Sequence, residues 1–470
     1  MEKLTKIIAT IGPACDSEEK IELLIKTGVN IFRFNFKHNT IDWHKERIRR
    51  VNRVAKKMRV IIGTLIDLQG PEIRVNLPVE EIKIEKGHLY PFGQQVFKKK
   101  ILGIGLSNPQ IENYLSGGET VFIADGYFQF ELVKKKDGFY LKSFSEGILH
   151  NRKNLNIPKV NLPFSSLIER DFEGLKLAAL HELDYVALSF VRTKNDILAL
   201  RKEMRKYGVN AKIVAKIETK KALENLSEII NEADGIMVAR GDLGIETSLE
   251  TLPYWQKKII TESLKQGKFV ITATQMLESM INNPLPTRAE ISDIANAVYD
   301  GTDCVMLSAE TASGSYPIEA VSYMKKTIIY AEKFLEDKPL IFNKKDDFRY
   351  CLCQAAFNIS QSLKKKLLGF LVIAETGQTA MILSRFRPHF PIFAITPYQD
   401  VAERLTAYFG ILPSVFSYAK KGEITVNSLK EVTLFLKKKY QLKKGYLVIL
   451  HGDFWRVKER SSTVRVMELK

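Results

Sequence analysis

Short apolar, β-branched runs recur between Thr5 and Glu310, each ending in polar residues and each followed by a segment of helical periodicity. The runs are Lys6 to Thr10, Ile31 to Asn35, Val60 to Asp67, Tyr185 to Ser189, Ile213 to Lys216, Gly235 to Ala239, Phe269 to Thr274 and Cys304 to Ser308, eight in all. Near-continuous apolar strands alternating with helices predict a parallel sheet covered on its outer side. Eight repeats predict its closure into a (β/α)8 TIM barrel, with an open doubly wound sheet as the alternative. Ser17-Glu18-Glu19-Lys20 reads as a helix entry, and Thr287-Arg288-Ala289-Glu290 has capping-box spacing.

The interval between the third and fourth runs is too long for a simple connection. From Pro71 to Asn156 it alternates as strands do, for instance at Thr120 to Ala124 and Gly138 to Leu141, which predicts an inserted β domain. Helical periodicity returns over Ser166 to Glu182 and completes the interrupted unit. Beyond Glu336 a helical stretch leads to Gly369 to Ala374 and Pro391 to Ile395, then to a hairpin-like pair, Tyr446 to Leu450 and Thr463 to Met467. The expected division is a barrel over 1–70 and 157–335, a β-barrel-like lid over 71–156, and a C-terminal α/β domain over 336–470.

Composition fits this reading. The 470 residues exceed the ~100 to 200 typical of one domain. With 45% hydrophobic and 27% charged residues, disordered and fibrous classes are excluded. A net charge of +17 raises nucleic acid, membrane surfaces and small anions as partners. The lysine runs at 98–100, 134–136, 364–366 and 437–439 are scattered, without an aromatic RNA-binding signature or a zinc-finger spacing, so a solvated lysine surface is the better reading. Cys15, Cys304, Cys351 and Cys353 have no metal-binding spacing, and no apolar run approaches the ~18 residues of a membrane span. The expectation is a cytoplasmic protein with no specific nucleic acid and no membrane as partner.

Barrel active sites lie at the carboxyl ends of the strands. Those ends carry Arg33, Asp67 with nearby Arg74, Lys216, Glu218, Asp242 and Thr274. Residues two apart on a strand share a face, so Arg33 and Asn35 can enter one cavity, as can Lys216 and Glu218. Glu218 and Asp242 offer Mg²⁺ two carboxylates and leave positions for substrate oxygens and water, while arginine forks and a lysine point charge hold phosphate. Any one of these residues alone reads as a solubilising rim charge. Seven of them on successive strands predict phosphoryl transfer to or from a small acid.

Ala9-Thr10-Ile11-Gly12-Pro13, Arg33-Phe34-Asn35-Phe36, Gly70-Pro71-Glu72-Ile73-Arg74, Lys216-Ile217-Glu218, the stretch Met237 to Gly244 and Ala273-Thr274-Gln275-Met276-Leu277-Glu278-Ser279-Met280 resemble pyruvate kinases, as does Pro286-Thr287-Arg288-Ala289-Glu290. The similarity is dense from Lys216 to Pro317 and weak in the inserted domain and near the carboxyl terminus.

The resemblance implies transfer of phosphate from phosphoenolpyruvate to ADP, giving pyruvate and ATP at the last step of glycolysis. Arg33 and Lys216 would grip the transferring group, with Mg²⁺ or Mn²⁺ on Glu218 and Asp242. Gly241 and Asp242 would offer backbone N–H groups to the substrate carboxylate, and Thr274 would touch that carboxylate and relay a proton. Arg74 and Lys153 would reach the ADP phosphates, with Asn35 and His38 also on the nucleotide side, although a lone histidine after a strand is as readily structural. The family implies a homotetramer and a water-excluding lid.

Two departures qualify it. The family's monovalent-cation site uses Asn, Ser, Asp and a Thr carbonyl; here these positions read Asn35, Lys37, Asp67 and Leu68. A lysine cannot coordinate K⁺, and its compact ammonium can replace the ion, so K⁺ is expected to be dispensable unless Lys37 turns to solvent. In the last domain, Thr376-Gly377-Gln378-Thr379-Ala380 resembles a phosphate-binding turn for a phosphorylated effector, but the usual glycine-rich loop is replaced by the basic stretch Gly452 to Ser461, which fits either an anion site or a subunit contact. The alternative function is a non-catalytic phosphate-ligand sensor descended from the same barrel, which would have lost a metal carboxylate or the phosphate lysine.

Overall fold

The computed structural model describes residues 3–158, 160, 164–335, 348–417, 426–453 and 461–470. Eight parallel strands close into a barrel: β1 (Lys6–Thr10), β2 (Ile31–Asn35), β3 (Gly63–Asp67), β4 (Tyr185–Leu188), β5 (Lys212–Ile217), β6 (Gly235–Ala239), β7 (Phe269–Ala273) and β8 (Cys304–Leu307). Each pairs with its sequence neighbours, and β1 with β8, which replaces the open-sheet alternative by a ring. Third-strand pairing begins at Gly63, not Val60. The preceding helix, Ile41–Met58, ends with Arg59 in the left-handed conformation, and Val60 N–H is spent on the Ala55 carbonyl, so residues 60–62 finish a helix terminus instead of joining the ladder.

The register aligns the functional ends. Thr10 lies beside Arg33, and Asn35 beside Asp67, so three strands deliver polar side chains at one level. Both expected helix entries form: Ser17 Oγ accepts from Lys20 N at 3.2 Å, and Thr287 and Glu290 make a reciprocal capping box.

Between β3 and β4 the chain makes a five-stranded sheet, from Leu89–Phe92 to Leu155–Asn156, and two small two-stranded sheets, around a core of its own that includes Phe92, Phe130 and Leu141. After the barrel, Leu367–Ile373, Ile392–Thr396, Ile411–Val415 and Gly445–Asp453 form parallel pairs, with Ser461–Leu469 antiparallel at the edge. The core of this sheet is continuous with the lower interior of the barrel. Within the barrel Tyr185 meets Phe269 edge to face with ring centres 5.6 Å apart, and Phe269 in turn meets Tyr408 edge to face at 5.2 Å. Arg387 locks the junction by pairing with Asp303 at 2.7 Å. Among the described residues no helix is long and apolar enough to cross a membrane.

Candidate active site

The carboxyl ends of the strands enclose a cavity of about 230 Å³. Arg33, Asn35, Lys37, His38, Asp67, Leu68, Lys216, Glu218, Asp242 and Thr274 all line it. Arg33 is fixed from two sides, with Nε donating to Asp67 Oδ2 at 2.8 Å and Nη1 to Thr10 Oγ1 at 2.9 Å. Lys216 Nζ stands 2.8 Å from Glu218 Oε1, 3.3 Å from Asp67 Oδ1 and 2.8 Å from Ser189 Oγ. Burial opposes its charge, but Asp67 and Glu218 more than compensate and hold its pKa above the ordinary lysine range. These carboxylates thus favour the ammonium form of Lys216. Burial would raise the Asp67 carboxyl, yet Lys216 and Arg33 together keep it below its usual range.

The carboxylate pair is under electrostatic pressure. Burial first, and the like charge of Glu218 second, push the Asp242 pKa up to about 7. A divalent cation bound by both would remove that penalty, and the donors are the hard oxygens such a cation prefers. Among the described residues no three His, Cys, Asp or Glu side chains form a group that could hold a metal ion. Glu218 is oriented by Phe190 N–H, which donates to Oε2 at 2.6 Å from a residue at φ +54°.

Thr274 follows β7 at φ +66°, an unfavourable conformation for a β-branched residue. Arg240 holds it there by donating to its carbonyl at 2.6 Å, and Thr274 Oγ1 accepts from Gly241 N–H at 2.8 Å. The Gly241 N–H expected to face the substrate carboxylate is thus already engaged by Thr274, which brings the two groups together at one spot. Lys37 does not turn to solvent. Its Nζ pairs with Glu72 Oε1 at 2.8 Å. Arg74 lies outside the cavity wall, bound to Glu72 Oε2 through Nε at 3.0 Å and Nη2 at 2.8 Å. Lys153 is exposed on the segment that runs beside Arg74, where its carbonyl accepts from Val75 N–H.

The barrel-domain model of pyruvate kinase matches residues 2–321, and the pyruvate kinase alpha/beta domain model matches 351–467. The chain belongs to the pyruvate kinase family. It is 37% identical to the pyruvate kinase of Thermotoga maritima, with 99% of each chain covered. The Chlamydia muridarum pyruvate kinase is 39% identical over 89% of this chain and 88% of its own, and that of Staphylococcus aureus USA300 36% over 90% and 73%.

Within this pyruvate kinase site, sequence reasoning missed Ser189, the hydroxyl that bridges Lys216 to the Leu68 carbonyl at 2.8 Å; outside the cavity it also missed the buried helix-start residue Asp171. Ser189 ended a predicted strand, and that position was its available signal. The turn at Gly377, φ +73°, precedes the helix Gln378–Arg385, whereas residues 454–460 of the second suggested effector loop lie outside the described residues.

Proposed function

We propose that this chain is a phosphotransferase that moves the phosphoryl group of phosphoenolpyruvate to ADP, yielding pyruvate and ATP. The observation that carries the reading is Lys216, held as an ammonium among Asp67, Glu218 and Ser189 in the same cavity as Arg33 and Asp242. Arg33 and Lys216 bind the transferring phosphoryl group, and as the P–O bond to the enol oxygen breaks and the bond to the ADP β-phosphate forms, Lys216 stabilises charge on both the phosphoryl oxygens and the enolate.

Glu218 and Asp242 would hold the divalent cation, Mg²⁺ with Mn²⁺ as a substitute, which would supply further charge neutralisation. Thr274, with Gly241 beside it, orients the substrate carboxylate and sits where a proton can be relayed to the methylene carbon of the enolate. On the nucleotide side, Arg74 and Lys153 serve the ADP phosphates, and Asn35 and His38 approach the nucleoside. The inserted segment 71–156 serves as the lid that excludes water between the barrel segments 1–70 and 157–335, and 336–470 as a C-terminal domain with an effector site. Lys37 takes the place of K⁺. Four cysteines without a metal-binding spacing suit a reducing cytoplasm, and a homotetramer is the assembly in which the chain is proposed to work.

The sensor alternative required loss of Lys216, Glu218 or Asp242, and all three line the cavity. The decisive experiment is pyruvate formation from phosphoenolpyruvate and ADP with Mg²⁺ in a coupled assay, with Lys216→Met as control. Turnover by the native protein and none by the variant is expected. Phosphoenolpyruvate binding without turnover would return the sensor reading.

A further inference from the structure

The helix Glu169–Leu180 begins where the chain comes back from the inserted sheets to the barrel. Two adjacent side chains in its first turn face different loops of the site. Asp171, fully buried, accepts from Gln69 N–H at 2.8 Å and Gly70 N–H at 3.2 Å, which lie where the chain leaves β3, and from Ile168 N–H at 3.0 Å, where it returns. One carboxylate therefore joins the outward and inward crossings of the lid. Arg170 donates through Nε to the Phe36 carbonyl at 2.7 Å and through Nη2 to the His38 carbonyl at 3.2 Å and to that of Asn39. Its guanidinium also lies 5.1 Å from the Phe36 ring centre. With these carbonyls taken, the loop after β2 presents Lys37 and His38 to the cavity.

We infer that Arg170 and Asp171 are positioning residues for phosphoryl transfer: Arg170 sets the nucleotide-side loop and Asp171 is the pivot of the lid, so that one helix start aligns both. The inference rests on the functional reading above. Arg33 and Lys216 sit on β2 and β5 themselves, and neither depends on the clamp. Loss of Arg170 should therefore weaken the nucleotide side more than the phosphoenolpyruvate side. A planar guanidinium matches several carbonyls at once where an ammonium reaches fewer, so lysine should restore only part of the function. Asparagine at 171 keeps the shape of aspartate but offers one accepting oxygen where the carboxylate offers two, which frees a hinge amide.

The test compares the full-length native enzyme with Arg170→Gln, Arg170→Lys and Asp171→Asn, varying each substrate separately. Hydrogen exchange is followed in peptides covering 36–39 and 69–70. Arg170→Gln should raise KM for ADP about tenfold while KM for phosphoenolpyruvate stays within about twofold, since small displacements of positioned groups are costly. Arg170→Lys should recover about half of that loss on a logarithmic scale. Asp171→Asn should lower kcat about tenfold and speed exchange at 69–70. Equal KM changes for both substrates, or lowered melting temperature with unchanged kinetics, would overturn the inference and leave a simple brace. Should the native enzyme not turn over these substrates, the functional reading fails, and exchange alone decides the clamp: unchanged exchange at 36–39 in Arg170→Gln overturns it. Should Asp171→Asn not fold, Arg170→Gln, at a half-buried side chain, still decides.

Discussion

Lys37 Nζ and Glu72 Oε1 lie 2.8 Å apart, and the other oxygen of the same carboxylate carries Arg74. Glu72 thus spans a lysine on the cavity wall and an arginine just beyond it. The family's monovalent-cation site includes this position, and Lys37 is the proposed substitute for the ion. Native turnover with K⁺ and with tetramethylammonium should agree within about twofold, whereas Lys37→Ser should lose about tenfold and recover part of it in K⁺. Initial rates in the two salts at equal ionic strength make the comparison; strong stimulation of the native enzyme by K⁺ would remove Lys37 from this role.

Lys216 neutralises two buried carboxylates and, in the proposed reaction, the substrate as well. Its replacement by methionine should lower kcat by about a thousandfold, the scale of a lost electrostatic stabiliser. It should also destabilise the fold by about 3 kcal/mol, because Glu218 stays buried without its ammonium while Asp67 keeps Arg33. Denaturant titration alongside kinetics separates the two losses. A variant as stable as the native protein would mean that the carboxylates relax to solvent.

His44 gives the protein an acid limit. Burial lowers its pKa to about 4, and its Nε2 donates to the His38 carbonyl at 2.8 Å. The unfolded chain binds this proton near pH 6.5 and the folded chain only near 4, so its stabilising contribution is complete above pH 6.5 and lost as pH falls towards 4. The full span is about 3 kcal/mol. Melting temperature measured across this interval should fall with pH, with a shallower slope in His44→Gln. An unchanged slope would show that other groups govern acid unfolding.

Most of the barrel was legible because buried parallel strands leave apolar runs that local turns cannot mimic, and their polar ends exposed Arg33, Lys216, Glu218, Asp242 and Thr274 as a set. The start of β3 was misjudged because Val60 to Ile62 are as apolar as a strand while their backbone completes a helix end. Asp171 could not be read, since its partners Gln69 and Gly70 are about a hundred positions away and nothing in its own neighbourhood distinguishes it from an ordinary helix-start acid. Ser189 is similar: its value lies in Lys216 and Leu68, which only the closed barrel brings beside it.

Gly12 lies in the loop after β1, packed on the segment after β8. A Cβ there would stand 2.3 Å from the Ala312 carbonyl oxygen and 2.6 Å from its Cα, so backbone must move. Gly12→Ala should cost about 1 to 3 kcal/mol and reduce activity through the displaced rim. Thermal denaturation and kcat measured together check this; full stability in the variant would show that the 312 segment yields freely.

The junction of Tyr185, Phe269 and Tyr408 gives the barrel a stopper borrowed from the C-terminal sheet. A vessel whose floor belongs to another part of the chain cannot be exchanged piecemeal. Residues 405–411 answer to the barrel lumen as much as to their own sheet, so a C-terminal unit grafted from a relative must bring a floor cut to the lumen it will close.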